Sequence, residues 1–288
     1  MNSLKVAILM VVMLALFAAV GYLIGGQGGM LIALVLAMGL NFFSYWFSDR
    51  LVLKMYRARE IKETDHPRLY AVVRRVAQKG MVPMPRVYIV PSKAPNAFAT
   101  GRNPENAAVA ATEGLLEMLN EDELEGVMAH EIAHVRNRDM LIGTVVATLA
   151  GAIGILASIA RWGAIFGGYS RDNDRGGGIG LLVAAIIAPI MAILIQTAIS
   201  RQREYKADST SGEITGKPLA LASALKKLHT APVRLNLDQR PATAHMMIAN
   251  PLSGRGMASL FSTHPPVEKR IKNLQNMVQK AAYQGYVR

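Results

Sequence analysis

Residues 130 to 134 read His-Glu-Ile-Ala-His. On a helix the two histidines stand at i and i+4, so both imidazoles leave one face and can grip a single metal ion. Glu131 then lies beside that ion, where it can act as general base for a water held there. Two histidines hold zinc weakly; a hydrolytic site takes a third protein ligand and leaves one position open for water. The chain has no cysteine, which excludes disulfides and thiolate ligands. A zinc site here must be built from His and carboxylate groups, the usual make-up of catalytic rather than structural zinc.

A third histidine in the spacing HExxHxxGxxH is absent, because Asn137 and Met140 stand at the corresponding positions. The other solution is a Glu from a later helix. Glu204 is the best candidate, with Asp208 one helical turn on and on the same face. There Asp208 is suited to accept a hydrogen bond from the far nitrogen of a metal-bound histidine. Glu213 is the runner-up, in a segment bracketed by Gly212 and Gly216 that is less suited to rigid placement.

These groups need elements to hold them. A helix capped by Asn120, with Glu121, Asp122 and Glu123 in its first turn, should run through the histidine motif to about Asp139. Within residues 50–80, Leu69, Val72, Val73 and Val76 form an i, i+3, i+4, i+7 stripe that predicts a helix, with Asp65 as N-cap and Pro67 in its first turn. Gly80 and the Pro83/Pro85 pair end it. Residues 86–90, 96–100 and 107–112 read as short strands, the last two joined by a polar turn containing Gly101, Asn103 and Pro104. Helices are expected from residue 200 through Asp208 and over residues 219–229. A loop or flap at 230–260 and an amphipathic helix at 265–280 complete the chain.

The composition is apolar, 51% hydrophobic and 18% charged over 288 residues. Four runs account for it, at 6–24, 30–47, 141–160 and 181–199, each with about the 20 residues that span a bilayer core and none with an acidic or basic side chain. The first two, joined by the uncharged turn Gly25-Gly26-Gln27-Gly28-Gly29, read as a retained anchor; the length of the first run and the run that follows it disfavour a cleaved signal peptide. The third and fourth fit membrane spans, and also a buried hairpin. Either returns the chain to the side it left, as a site shared by His134 and Glu204 requires. The runs argue against metal transport, which needs charged groups inside the spans to form a path.

The formal charge is +12, but its placement argues against nucleic acid. Arg50, Lys54, Arg57, Arg59 and Lys62 crowd the exit of the second run, and Arg201, Arg203 and Lys206 that of the fourth. This is the positive-inside pattern, with cytoplasmic basic residues facing anionic headgroups of the bilayer. The expected domains are 1–50 (two membrane helices), 51–140 (first catalytic part), 141–199 (membrane helix pair) and 200–288 (second catalytic part).

The chain resembles the HtpX-type membrane zinc metalloproteases, relatives of the CAAX prenyl proteases, over nearly its whole length. The likeness rests on the paired N-terminal spans, Asn96-Ala-Phe-Ala-Thr-Gly101, His130-Glu-Ile-Ala-His134, the middle spans, Arg203-Glu-Tyr-Lys-Ala-Asp208, and Ser262-Thr-His-Pro-Pro266 followed by Arg270. It implies a mainly α fold with a small β-sheet, four transmembrane segments and a cytoplasmic zincin-like (gluzincin) domain. It implies one Zn2+ per chain on His130, His134 and Glu204, with Glu131 as base. The implied activity is endopeptidase cleavage of misfolded or damaged membrane proteins from the cytoplasmic face of the bacterial inner membrane. His264 and Arg270 come from a segment that walls the active site in related enzymes, so either is a candidate donor to the transition state; residues 263–265 could instead cap the last helix. Asn96, Ala97, Phe98 and Ala99 resemble the edge strand along which an extended substrate lies. His66, His229 and His245 read as structural or exposed. The alternative function, a catalytically silent membrane scaffold or metal-binding membrane protein, is opposed by the intact Glu131 and ligand set.

Overall fold

The computed structural model describes residues 2–143, 145, 201–231 and 265–286. The expected runs at 141–160 and 181–199, the loop at 230–260, and His245 and His264 lie outside these residues, apart from residues 141–143, 145, 230 and 231.

Helix α1 (Asn2–Met55) contains both N-terminal apolar runs. It cannot be straight. Asn41 Nδ2 donates to the Met10 carbonyl at 3.0 Å, whereas 31 residues of straight helix would part them by about 46 Å. The chain folds back at Gly26, whose φ of +59° suits glycine. The two arms meet so closely that a Cβ on Gly29 would lie 2.3 Å from the Gly21 carbonyl oxygen. Among the described residues, the stretch Gly26–Phe47 is long and apolar enough to cross a bilayer; Val6–Ala19 in the first arm is shorter.

Beyond Met55 the chain forms strand β1 (Arg59–Glu60), helix α2 (Pro67–Lys79), strands β2 (Arg86–Val90), β3 (Ala97–Thr100) and β4 (Ala108–Thr112), then helices α3 (Glu113–Met118) and α4 (Glu121–Arg136). Helices α5 (Arg201–Thr215), α6 (Pro218–Thr230) and α7 (Val267–Tyr286) follow. The three main strands lie within one residue of the expected ranges, whereas β1 and α3 carry too little sequence pattern to be expected. The sheet order is β1-β2-β4-β3, with β2 and β4 parallel and the other pairs antiparallel. Among the described residues β3 is therefore an edge strand.

Alternation splits the sheet into two packed faces. Val87, Ala97, Ala99, Val109 and Ala111 face the main core with α2, α4, α5 and α6, while Tyr88, Val90, Phe98, Ala108 and Ala110 receive Val52 and Leu53 from the end of α1. The sheet is thereby clamped between the N-terminal hairpin and the helices of the site. In α2 the stripe Leu69, Val72, Val73 and Val76 is buried, each side chain contributing roughly 1.5–3 kcal/mol. Its N-cap is His66, whose Nδ1 accepts the Leu69 N–H at 3.2 Å. Asp65, the expected cap, instead accepts the Lys62 N–H at 2.8 Å; Pro67 fills the first helical position, so the residue just before it is the cap.

Candidate metal centre

Helix α4 is set at its start by a capping box. The Asn120 side chain accepts the Glu123 N–H at 2.9 Å, and the Glu123 carboxylate accepts the Asn120 N–H at 2.9 Å. The helix crosses the main core with almost every residue from Glu123 to Val135 buried. Its period places the His130 and His134 rings edge to face, with centroids 4.7 Å apart and Nε2 atoms 3.2 Å apart.

Helix α5 runs against α4, tied to it where Ser211 Oγ donates to the Gly126 carbonyl at 2.9 Å. This brings Glu204 to the histidine pair. One carboxylate oxygen lies 3.6 Å from His130 Nε2 and the other 3.5 Å from His134 Nε2. Two donors 2.0–2.1 Å from one tetrahedral ion stand roughly 3.3–3.4 Å apart. The two Nε2 atoms and the carboxylate, whose two oxygens take one edge each, form a triangle with edges of 3.2 to 3.6 Å, close to that spacing, and two imidazoles with a carboxylate suit zinc. Glu213 is nine residues beyond Glu204, half a turn out of phase on the helix, and it is exposed. Its exclusion therefore comes from helical phase and not from loop flexibility, since it sits well inside α5.

Each imidazole carries a carboxylate on its far nitrogen. Asp208 Oδ1 lies 3.0 Å from His130 Nδ1, and Asp139 Oδ2 lies 3.2 Å from His134 Nδ1. Burial alone would push the His130 imidazole down, but Asp208 and Glu204 outweigh it and raise its pKa to about 9. Burial likewise favours neutral Asp208, yet the Arg270 guanidinium holds its carboxyl down at about 2.

Asp139 is the residue sequence reasoning missed. α4 ends at Arg136, short of the expected Asp139, in a Schellman turn: the Arg138 N–H reaches the Val135 carbonyl at 3.1 Å and the Asp139 N–H reaches that of His134 at 3.2 Å. Such turns favour glycine at the left-handed position, but here Arg138 occupies it with φ +56°. No glycine marks the turn in the sequence, and the turn is what folds Asp139 back onto His134.

Arg270, a candidate donor to the transition state, bonds to Asp208 behind His130. It is fully buried on α7, with Nε donating to Asp208 Oδ2 at 2.8 Å and Nη2 to Oδ1 at 2.6 Å. It meets the His130 ring from the Nδ1 side, 3.5 Å away, opposite the Nε2 that faces Glu204. Glu131, 5% exposed, follows His130 directly on α4. Asn96 is buried just ahead of β3, where its N–H donates to Thr112 Oγ1 at 2.8 Å, and Ala97, Phe98 and Ala99 pair with β4. α4 packs beside β3. His66 caps a helix, and exposed His229 lies 3.8 Å from Glu268.

Known proteins resemble this chain over most of its length. Residues 63–278 match the family model described as peptidase family M48. A "Protease HtpX homolog" of Desulfatibacillum aliphaticivorans is 56% identical over 275 residues, covering 95% of this chain and 89% of the relative. Proteins of the same name from Syntrophobacter fumaroxidans and Pyrococcus furiosus are each 54% identical; 95% and 96% of this chain and 98% and 96% of those relatives are covered. Among solved structures, that of S. mikatae Ste24p shares the fold, with a TM-score of 0.51 at 17% identity. That match covers 91% of this chain and 62% of the Ste24p chain. A matched family model over most of the chain and close relatives along nearly its full length agree that this chain is a metalloprotease of peptidase family M48.

Proposed function

We propose that the protein is a membrane-anchored endopeptidase that holds one zinc ion on His130, His134 and Glu204. It hydrolyses peptide bonds of unfolded or damaged membrane proteins at the cytoplasmic face of a bacterial inner membrane. The observation that carries this reading is the donor triangle of 3.2, 3.5 and 3.6 Å, with the Glu131 carboxylate on the same helix. Zinc bound there supplies a Lewis acid that acidifies water and polarises a carbonyl. Glu131 accepts the proton of the attacking water and returns it to the leaving amine. Asp208 and Asp139 accept hydrogen bonds from the Nδ1–H groups of His130 and His134, which leaves both Nε2 lone pairs directed into the triangle. Arg270, spent on Asp208, is a positioning residue; His264 is kept as the candidate oxyanion donor. β3 is assigned as the strand that an extended peptide pairs with, a backbone-read mode that tolerates many sequences. The N-terminal hairpin and the two middle apolar runs supply the anchor, and the basic residues at their exits face the cytoplasm.

The test is metal analysis of the purified protein together with digestion of an unfolded substrate. One zinc per chain, with cleavage abolished by chelator and restored by zinc, is expected. Cleavage indifferent to chelator would refute the proposal.

A further inference from the structure

The sheet stands end-on to the N-terminal hairpin. Arg86, the first residue of β2, donates to Asp49 at 2.8 Å. Farther along β2, Tyr88 and Val90 pack on Val52 and Leu53. β2 therefore runs in the same direction as the second arm of α1, away from its apolar stretch, which ends at Phe47. The residues just before Arg86 therefore lie on the side of that stretch. Two further contacts agree. Arg102, in the turn after β3, lies over the Trp46 ring at 4.7 Å. α2 runs parallel to α4, its Arg68 bonded to the Leu116 and Leu119 carbonyls just ahead of α4 and its end at Gly80 set against Ile132. The loop 81–85 thus emerges at the level of Trp46, beside the C-terminal end of α4.

This loop carries two costs that its fold does not need. Met81 and Met84 are 78% and 39% exposed. Met81 is also the left-handed residue that closes α2, with φ +54°, in a Schellman turn where its N–H reaches the Gln78 carbonyl at 3.1 Å and the Val82 N–H that of Ala77 at 3.1 Å. Glycine there would be about 1–2 kcal/mol easier on the backbone and would expose no apolar side chain. Outliers of this kind mark sites of use. Around the same end stand Arg50, Arg136, Arg138 and Arg201, all exposed, and Arg102. Cations around a projecting apolar tip complement an anionic bilayer surface.

We propose that the loop 81–85 is a second membrane contact: Met81 and Met84 insert between acidic phospholipid headgroups, and the surrounding arginines bind those headgroups. The inference rests on the membrane anchoring proposed above. It sets the strand ends at Arg86 and Thr100 toward the bilayer.

The absence of cysteine makes the test direct. Single variants Met81→Cys, Met84→Cys, Lys93→Cys and Leu36→Cys of the full chain are labelled with a polarity-sensitive dye and reconstituted in vesicles of phosphatidylglycerol and phosphatidylcholine bearing a lipid-linked quencher. Lys93 follows β2 at the opposite end of the sheet, and Leu36 lies in the apolar stretch. The expected result is a blue shift and loss of emission at 81, 84 and 36, with neither at 93, and weaker effects at 81 and 84 in pure phosphatidylcholine. Labels at 81 and 84 as wet as the label at 93, with 36 quenched, would overturn the second contact alone. An unquenched label at 36 would overturn the anchoring and this inference with it.

Discussion

Replacing Arg270 by Met isolates what holds the back of the metal site. Arg270 is fully buried and makes two hydrogen bonds, at 2.8 and 2.6 Å, to Asp208, itself only 2% exposed. Removing one partner of a buried ion pair strands the other and costs about 3–5 kcal/mol. For a chain of this size each kcal/mol moves Tm by roughly 2–4 °C, so the variant should melt about 6–20 °C lower in detergent. The pH dependence should change as well. The folded pKa of Asp208 is depressed to about 2 from an ordinary 3.8. Its contribution is therefore present above the ordinary value and lost as pH falls from about 4 toward 2. In Arg270→Met that acid-side loss should shrink or vanish. The double variant Asp208→Asn/Arg270→Met should recover part of the stability, because no charge is then stranded. If Arg270→Met melted within a degree of the parent, or if the two single losses simply added, the pair would not be what fixes Asp208.

Other expectations follow from the same geometry. Glu131→Gln should abolish peptide cleavage while zinc stays bound; activity surviving at about a tenth would make another group the base. Glu204→Ala should lose metal and activity while Glu213→Ala keeps both, as metal content and turnover would show; the reverse result would misassign the third ligand. Asp139→Ala should weaken zinc binding by about 10–100-fold in a chelator competition, and an unchanged affinity would reduce Asp139 to a turn residue. Topology reporters after residues 60 and 288 should both read cytoplasmic. One at residue 173 should read the opposite face if residues 141–160 and 181–199 cross fully, and cytoplasmic if they form a re-entrant hairpin. Opposite signals at 60 and 288 would be incompatible with one ion shared by His134 and Glu204.

What could be read from residues alone was what helical and strand periods decide locally. The spacing of His130 and His134 sets their shared face wherever that helix sits, and the Asn120 box and the α2 stripe are equally local. Helical phase also separates Glu204 and Asp208 from Glu213, once all three are known to lie in one helix. Tertiary structure decided everything that depends on distance across the chain. The triangle closes only because α5 packs against α4, and Asp208 is pinned by a guanidinium 62 positions later. No local pattern encodes either contact, since each is stabilised by burial contributed from several elements at once. Two turns were hidden for a different reason. Arg138 and Met81 take left-handed backbone normally signalled by glycine, so the residue types concealed both the return of Asp139 to His134 and the aim of the loop 81–85. The N-terminal runs show the same division: apolarity marks them from composition, but that they pack as one hairpin, joined by Asn41 to Met10, is a property of the folded chain.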